Sequence, residues 1–209
     1  YRAGAGLALD ENRFTLLTGY RLPQTCGRGQ VAKWNGQAWE CGDDDADAGP
    51  YWRLAGNTGT SPAMHFLGTT DAISLTLAVS GTAALRLFPD AISPNLIGGF
   101  AGNAANAGVH GASIGGGGQE AYPNTIAGDF GVIGGGLGNT ARGVNSSVVG
   151  GSGNIAGGPL SSIGGGANHR ADGSYAVIAG GQDHNALGTH SAIGGGLHHR
   201  AAGTGATCL

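Results

Sequence analysis

The stretch Ile133-Gly-Gly-Gly-Leu-Gly-Asn139-Thr-Ala141-Arg-Gly143-Val-Asn-Ser146-Ser147 is followed at once by four near copies of itself. The apolar residue ahead of each glycine run stands at Ile133, Val148, Ile163, Ile178 and Ile193, and then at Cys208, fifteen residues apart every time. With that residue as position zero, position six reads Asn139, Asn154, His169, His184 and His199. Position eight is always Ala, from Ala141 to Ala201, and position ten always Gly, from Gly143 to Gly203. Two residues before position zero the side chain is small: Gly131, Ser146, Ser161, Ala176, Ser191 or Ala206. Two looser copies precede the array, with Ile114 nineteen residues before Ile133 and Ile97 seventeen before Ile114. The extra residues, at Gly118 to Thr125 and around Ala104 to His110, are expected to bulge as loops.

A fixed period of this length is the signature of a solenoid. Inside each repeat the pattern has period two: a small residue, a skipped one, then Ile or Val, which predicts a short strand with a thin inward face. Positions six, eight and ten predict a second. The glycine cluster between them supplies positive φ and close backbone approach. One medium apolar side chain and one Ala per coil leave a single chain thinly cored, so association around a shared axis is expected.

Composition agrees. The chain has 209 residues and 45 glycines, 33 of them between Ile97 and Leu209, with 11% charged and 6% aromatic residues. That is too few large side chains for a compact globule and too little charge and proline for a disordered chain. Glycine does not recur at every third residue, which excludes collagen. The formal net charge of −3 has both signs mixed, so no nucleic-acid surface is expected. No apolar run approaches the roughly 18 residues of a membrane span, so no membrane insertion is expected. The start at Tyr1 rather than Met reads as a fragment or a processed product.

Residues 1–96 differ. Leu7, Leu9, Phe14 and Leu16 stand at strand spacing about a turn at Asp10–Asn12. Val31–Trp34 and Gln37–Cys41 flank Asn35–Gly36, a two-residue hairpin signal. Cys26 and Cys41 bracket this hairpin. Two free thiols are one reading. A disulfide is preferred, because a hairpin with few core residues gains most from a cross-link. Gly42 to Pro50, with Asp43, Asp44, Asp45 and Asp47, reads as a solvated linker; a calcium site is the alternative. Ile73, Leu75, Leu77 and Val79 alternate, Ser80–Gly81 turns the chain, and Leu85 and Leu87 follow: a hairpin with one buried face, from which Arg86 points away.

The Ile-Gly-Gly-Gly array with its Asn, Ala and Gly resembles the head repeats of trimeric autotransporter adhesins. Tyr1-Arg-Ala-Gly-Ala-Gly-Leu, Tyr20-Arg-Leu-Pro-Gln, Lys33-Trp-Asn-Gly, and Phe66-Leu-Gly-Thr-Thr-Asp with Leu85-Arg-Leu resemble segments of bacterial and phage tail-fibre-like proteins. The resemblance spans nearly the whole chain. It implies left-handed parallel β-rolls assembled as homotrimers outside the cell, on a surface appendage or a virion tail. The expected fold is therefore all-β: a connector module over 1–19, a Cys-bracketed hairpin over 20–42, an acidic linker over 43–50, a hairpin module over 51–96 and a Gly-rich roll over 97–209.

No catalytic constellation is legible. Gly115–Gly118 lacks the Lys-Ser/Thr ending of a phosphate loop, and the Asp of calcium-binding β-roll repeats is missing. A glycan-cleaving enzyme needs paired carboxylates, whereas Glu120, Asp129, Asp172 and Asp183 fall at unrelated positions. The sharp signal is His169, His184 and His199 at one equivalent position, expected about 4.8 Å apart. Imidazole ligates metals, and His198 adds to the cluster. A structural ladder replacing Asn139 and Asn154 is preferred, because carboxylates that orient such ligands are scarce. No metal and no cofactor are expected. The expected role is a non-enzymatic fibre subunit for surface attachment, binding a cell-surface glycan or protein receptor. The alternative is a self-assembling extracellular filament subunit with no receptor role. Cys208 opens an incomplete eighth coil as a small interior hydrophobe. The chain is thus expected to continue past Leu209, or to be met end to end by another subunit.

Overall fold

The computed structural model describes residues 7–10, 13–16, 21–23, 25–28, 30–43, 57–61 and 65–209. Asp44, Asp45 and Asp47 of the acidic linker, the motif residues Tyr1–Gly6 and Tyr20, and the turn residues Glu11 and Asn12 lie outside the described residues. The described residues are all-β, and the chain divides into two units, Tyr1–Leu67 and Gly68–Leu209.

The described residues of the first unit hold two antiparallel strand pairs. Strands β1 (Leu7–Asp10) and β2 (Arg13–Leu16) pair from Leu7↔Leu16 to Asp10↔Arg13. Strands β3 (Gln30–Trp34) and β4 (Trp39–Asp43) pair with Trp34 opposite Trp39. Their loop is thus the four residues Asn35–Ala38, not the two-residue Asn35–Gly36 turn read from the sequence. The reason is the Asn35 side chain. Its Oδ1 accepts from the N–H of Gln37 at 2.9 Å and of Ala38 at 2.8 Å, while Gly36 takes a φ of 99°. An Asn that bonds its own downstream backbone widens the turn. Cys26 and Cys41 are joined in a disulfide with their Cα atoms 5.4 Å apart.

The second unit is a parallel β-solenoid preceded by a hairpin. Strands β5 (Leu75–Val79) and β6 (Thr82–Phe88) turn through Ser80 and Gly81, both at positive φ. Strand β6 pairs antiparallel with β7 (Asn95–Gly98), and β7 begins the first parallel ladder. That ladder runs through Ser113–Ile114, Val132–Ile133, Ser147–Val148, Ser162–Ile163, Val177–Ile178 and Ala192–Ile193 to Thr207–Cys208. A second ladder joins β8 (Ala104–Ala105) to Thr125–Ile126, Thr140–Ala141 and onward to Arg200–Ala201. Single parallel bridges link Leu137, Ser152, Ala167, Gln182 and Leu197.

The register is the fifteen-residue period itself, so each interior side chain stacks on its equivalent. Ile97, Ile114, Ile133, Val148, Ile163, Ile178 and Ile193 are buried in one cluster with the position-eight alanines, and Cys208 is partly buried against it. Glycine is required at two positions for different reasons. The last glycine of each run, from Gly136 to Gly196, has φ between 86° and 102°. At position ten, a Cβ on Gly143, Gly158, Gly173 or Gly188 would strike the glycine carbonyl of the next coil.

Two further sequence expectations are corrected. Ala104–Ala105 is a strand at position eight of the first coil, so the first insertion is confined to residues after it. The hairpin face of Ile73, Leu77 and Val79 is not buried: these side chains are 60%, 41% and 70% exposed. Among the described residues of this chain no second layer covers that face. Arg86 points away from Leu85 and Leu87, as alternation requires, but it is half-buried. Its Nη2 donates to the Asn103 carbonyl at 2.8 Å and to that of Phe100 at 3.5 Å.

Candidate functional site

The residues at position six form one continuous column through the roll. The chain arrives there from the glycine turn, and the residue before it is held in the left-handed region: Gly138, Gly153, Asn168, Asp183 and His198 all have positive φ. That corner turns the position-six side chain inward. Asn139 and Asn154 are buried, and so are His169 and His184, at 1% and 0% exposure; His199 is half-buried. Asn103 and Asn124 complete the column at its start.

Each member accepts a hydrogen bond from the backbone of the next. Oδ1 of Asn103, Asn124, Asn139 and Asn154 accepts from the N–H of Asn124, Asn139, Asn154 and His169 at 2.9–3.0 Å. The amide nitrogens donate to the glycine turns: Asn139 Nδ2 to the Gly135 and Gly151 carbonyls, and Asn154 Nδ2 to those of Gly150 and Gly166. Asparagine fits because it presents an acceptor and two donors in one plane. The column thus ties two successive coils: it satisfies the Gly135 and Gly150 carbonyls and adds a second donor to those of Gly151 and Gly166, which also accept from the Leu137 and Ser152 N–H groups.

Histidine continues the pattern with ring nitrogens. Nδ1 of His169 accepts from the His184 N–H at 3.1 Å, and Nδ1 of His184 from the His199 N–H at 3.0 Å. An accepting Nδ1 places the proton of a neutral ring on Nε2. The rings of His169 and His184 stack 4.9 Å apart within 6° of parallel, and His184 and His199 follow at 5.2 Å. Burial, and then the neighbouring imidazole, hold His169 and His184 below the ordinary histidine value. Their Nε2 atoms make no hydrogen bond of normal geometry. The Gly181 and Gly196 carbonyls favour the charged rings, but less than burial opposes them.

Stacking keeps the ring nitrogens parallel instead of converging, at a spacing wider than two bonds of about 2.1 Å to one ion allow. Among the described residues, no group of three or more His, Cys, Asp or Glu side chains is arranged to hold a metal.

A cavity of about 260 Å³ lies beside the first coil, lined by Arg86, Asp90, Asn95, Asn103, Asn106 and Val109 among others. Its polar groups serve the fold. Asn95 bonds the Val109 carbonyl and the Ala112 N–H. Asp90 accepts from the N–H groups of Ile92 and Ser93 and pairs with His110 at 2.9 Å. These contacts, the Ile92 N–H foremost, hold its carboxyl below the usual range.

A second column occupies the opposite corner, at position twelve. Phe130, Asn145, Leu160, Tyr175 and His190 all sit at φ between 55° and 60°. The Leu160, Tyr175 and His190 N–H groups donate to the carbonyls of Val144, Pro159 and Ser174 one coil back. Tyr175 and His190 stack 4.8 Å apart. Sequence reasoning missed this corner because bulky residues rarely adopt left-handed backbone. It missed Asn124 because the insertion after Gly118 displaces it from the fifteen-residue count, and Asn103, at position six from Ile97, because it stands beside Ala104, where a loop was expected. The available signal was their place two residues before Ala105 and Ile126, the equivalents of position eight.

Among the described residues no helix is long and apolar enough to cross a membrane. Compared with known proteins, the chain matches no family model and no curated protein sequence.

Proposed function

We propose that this chain is a non-enzymatic structural subunit of a trimeric extracellular fibre, of the tail-fibre or adhesin kind, used for surface attachment. The observation that carries the reading is a row of glycines with no reason inside the chain. The glycine at position two of each coil from Ile114 onward, Gly116, Gly135, Gly150, Gly165, Gly180 and Gly195, has no positive φ. A Cβ there would meet open space, or at Gly135 only the Gly116 backbone at 4.0 Å. Residues of ordinary backbone beside open space have no cause to be glycine in every coil unless another surface lies close against them. A second copy of the chain supplies such a surface.

Exposed apolar side chains support the same reading. Val149, next to Gly150, is 65% exposed. The uncovered hairpin face of Leu77 and Val79 is the kind of half-layer that association buries. The number three and the location outside the cell come from the resemblance to adhesin heads and tail fibres. A trimer presents every weak surface contact three times, so avidity takes the place of a deep pocket.

Light scattering on the purified chain tests the assembly. A discrete trimer that Gly150→Leu with Gly165→Leu converts to folded monomer supports the reading. A stable folded wild-type monomer refutes it, and an open-ended polymer favours a filament subunit instead. Binding of the trimer to arrayed surface glycans then tests attachment.

A further inference from the structure

We propose that the histidine column is an acid-sensitive latch on the last coils of the roll. Where Nδ1 of His169 and His184 gains a proton, the coils from about Ile163 onward unpair, while the asparagine coils before them stay closed.

The latch lies in the direction of two hydrogen bonds. In the asparagine coils the acceptor is an amide oxygen, which does not titrate at any pH a protein meets. In the histidine coils it is Nδ1, bonded to the N–H of the following coil. A proton on Nδ1 turns that acceptor into a donor aimed at another donor. The ring also becomes charged where it is at most 1% exposed. A flipped ring would still leave the N–H of the following coil without an acceptor, and Nε2 of His169 and of His184 packs against Gly166 and Gly181 so closely that no Cβ fits there.

The surroundings do not supply a counter-charge inside the roll. Below His169 is neutral Asn154; above it are His184 and then His199, which repel one another when charged. Asp183, at the corner before His184, favours charged rings. It is shared with His198, whose Nδ1 lies 3.7 Å from its carboxylate and whose charge opposes that of His184. Arg170 is paired with Asp172 on the outside, and Arg200 is exposed. The other buried side chains of these coils are Ile, Ala and Ser, from Ser161 to Ala201, with Cys208 partly buried against them, and none is a carboxylate.

Hydrogen exchange of the full chain, read by mass spectrometry and corrected for the intrinsic pH dependence, tests the latch. Between pH 7.5 and 5.0 the protection of residues 164–209 should fall, with that of residues 113–157 unchanged. With an ordinary imidazole value of 6.5, the limit is about thirtyfold for each ring that must stay neutral. A variant with His169→Asn, His184→Asn and His199→Asn carries the residue that Asn139 and Asn154 already use at that position, and its protection should not fall. Equal loss along the whole roll, no loss in the wild type, or the same loss in the triple variant would each overturn the proposal. Nitrogen NMR of the imidazoles gives a reading independent of the variant: a protonated Nδ1 on His169 at pH 7.5 would also refute it.

Discussion

The backbone N–H of His184 donates to Nδ1 of His169 at 3.1 Å, taking up the bond that the His169 N–H makes to Oδ1 of Asn154 one coil earlier, at 3.0 Å. One column is thus written in two side chains, only one of which answers to pH. His169 and His184 titrate below their ordinary value of 6.5 in the fold, so below that pH the unfolded chain binds more protons than the folded one. Their contribution is complete above pH 6.5 and is lost as pH falls, at a limit of about 1.4 kcal/mol per pH unit per ring. Asp90 follows the same sign at lower pH. Its carboxyl is held below 3.8, so its contribution is present above that value and disappears only as pH falls through its lower folded value. Denaturant unfolding followed across pH should therefore show two separate acid steps, and His169→Asn with His184→Asn should remove the first alone.

Asn139→Ala should cost about 2–4 kcal/mol in denaturant unfolding. It removes the donors that bond the Gly135 and Gly151 carbonyls and the acceptor that the Asn154 N–H uses. Asn139→Asp should be at least as damaging, since a carboxylate keeps the acceptor but turns it on two carbonyls. A loss below about 0.5 kcal/mol for either would contradict the role given to the column.

Glycines that look alike in the sequence should respond differently. Gly173→Ala places a methyl against the Gly188 carbonyl and should cost about 2–4 kcal/mol. Gly165→Ala points into open space and should change the stability of a single folded chain by less than about 0.5 kcal/mol. Thermal unfolding of both variants under dissociating conditions separates the two cases.

Ser161→Ala should stabilise the roll by about 1 kcal/mol. The Ser146, Ser161 and Ser191 hydroxyls are buried without a partner, and Ala176 already fills the same position one coil on. A drop in melting temperature would mean that these hydroxyls find a partner in the assembled protein.

Alkylation of the denatured, unreduced chain should block one cysteine, Cys208, because Cys26 and Cys41 are joined. Cys41→Ser should lower the stability of the first hairpin unit by about 3 kcal/mol and leave exchange protection of the roll unchanged. Three blocked cysteines would contradict the disulfide.

The roll was legible because its register equals its sequence period: Ile133 and Val148 pair only if the fifteen-residue count is kept. Where an insertion breaks the count, the reading stopped, as at Asn124. The β3–β4 loop misled because the Asn35–Gly36 pair is a strong two-residue signal, and it is the Asn35 side chain, bonding forward to Ala38, that overrides it. The strictly alternating Ile73–Val79 run gave its strand correctly from Leu75 onward, but alternation tells which side chains share a face and not what covers it. The Leu160 and Tyr175 corner was invisible because its left-handed backbone is imposed by bonds to the preceding coil instead of by residue preference.

The antiparallel junction between β6 and β7, with Arg86 closing on the Asn103 carbonyl, also bears on how the roll is made. A hairpin closed by Ser80 and Gly81 needs only neighbouring residues, so it forms early and quickly. Once formed, it offers β7 a ready edge, and every later coil needs a contact only about fifteen residues back. Assembly is then a zipper with a fixed starting tooth at its amino-terminal end. It runs in the order in which a ribosome delivers the chain, and each completed coil shields the one before it from pairing with a stranger.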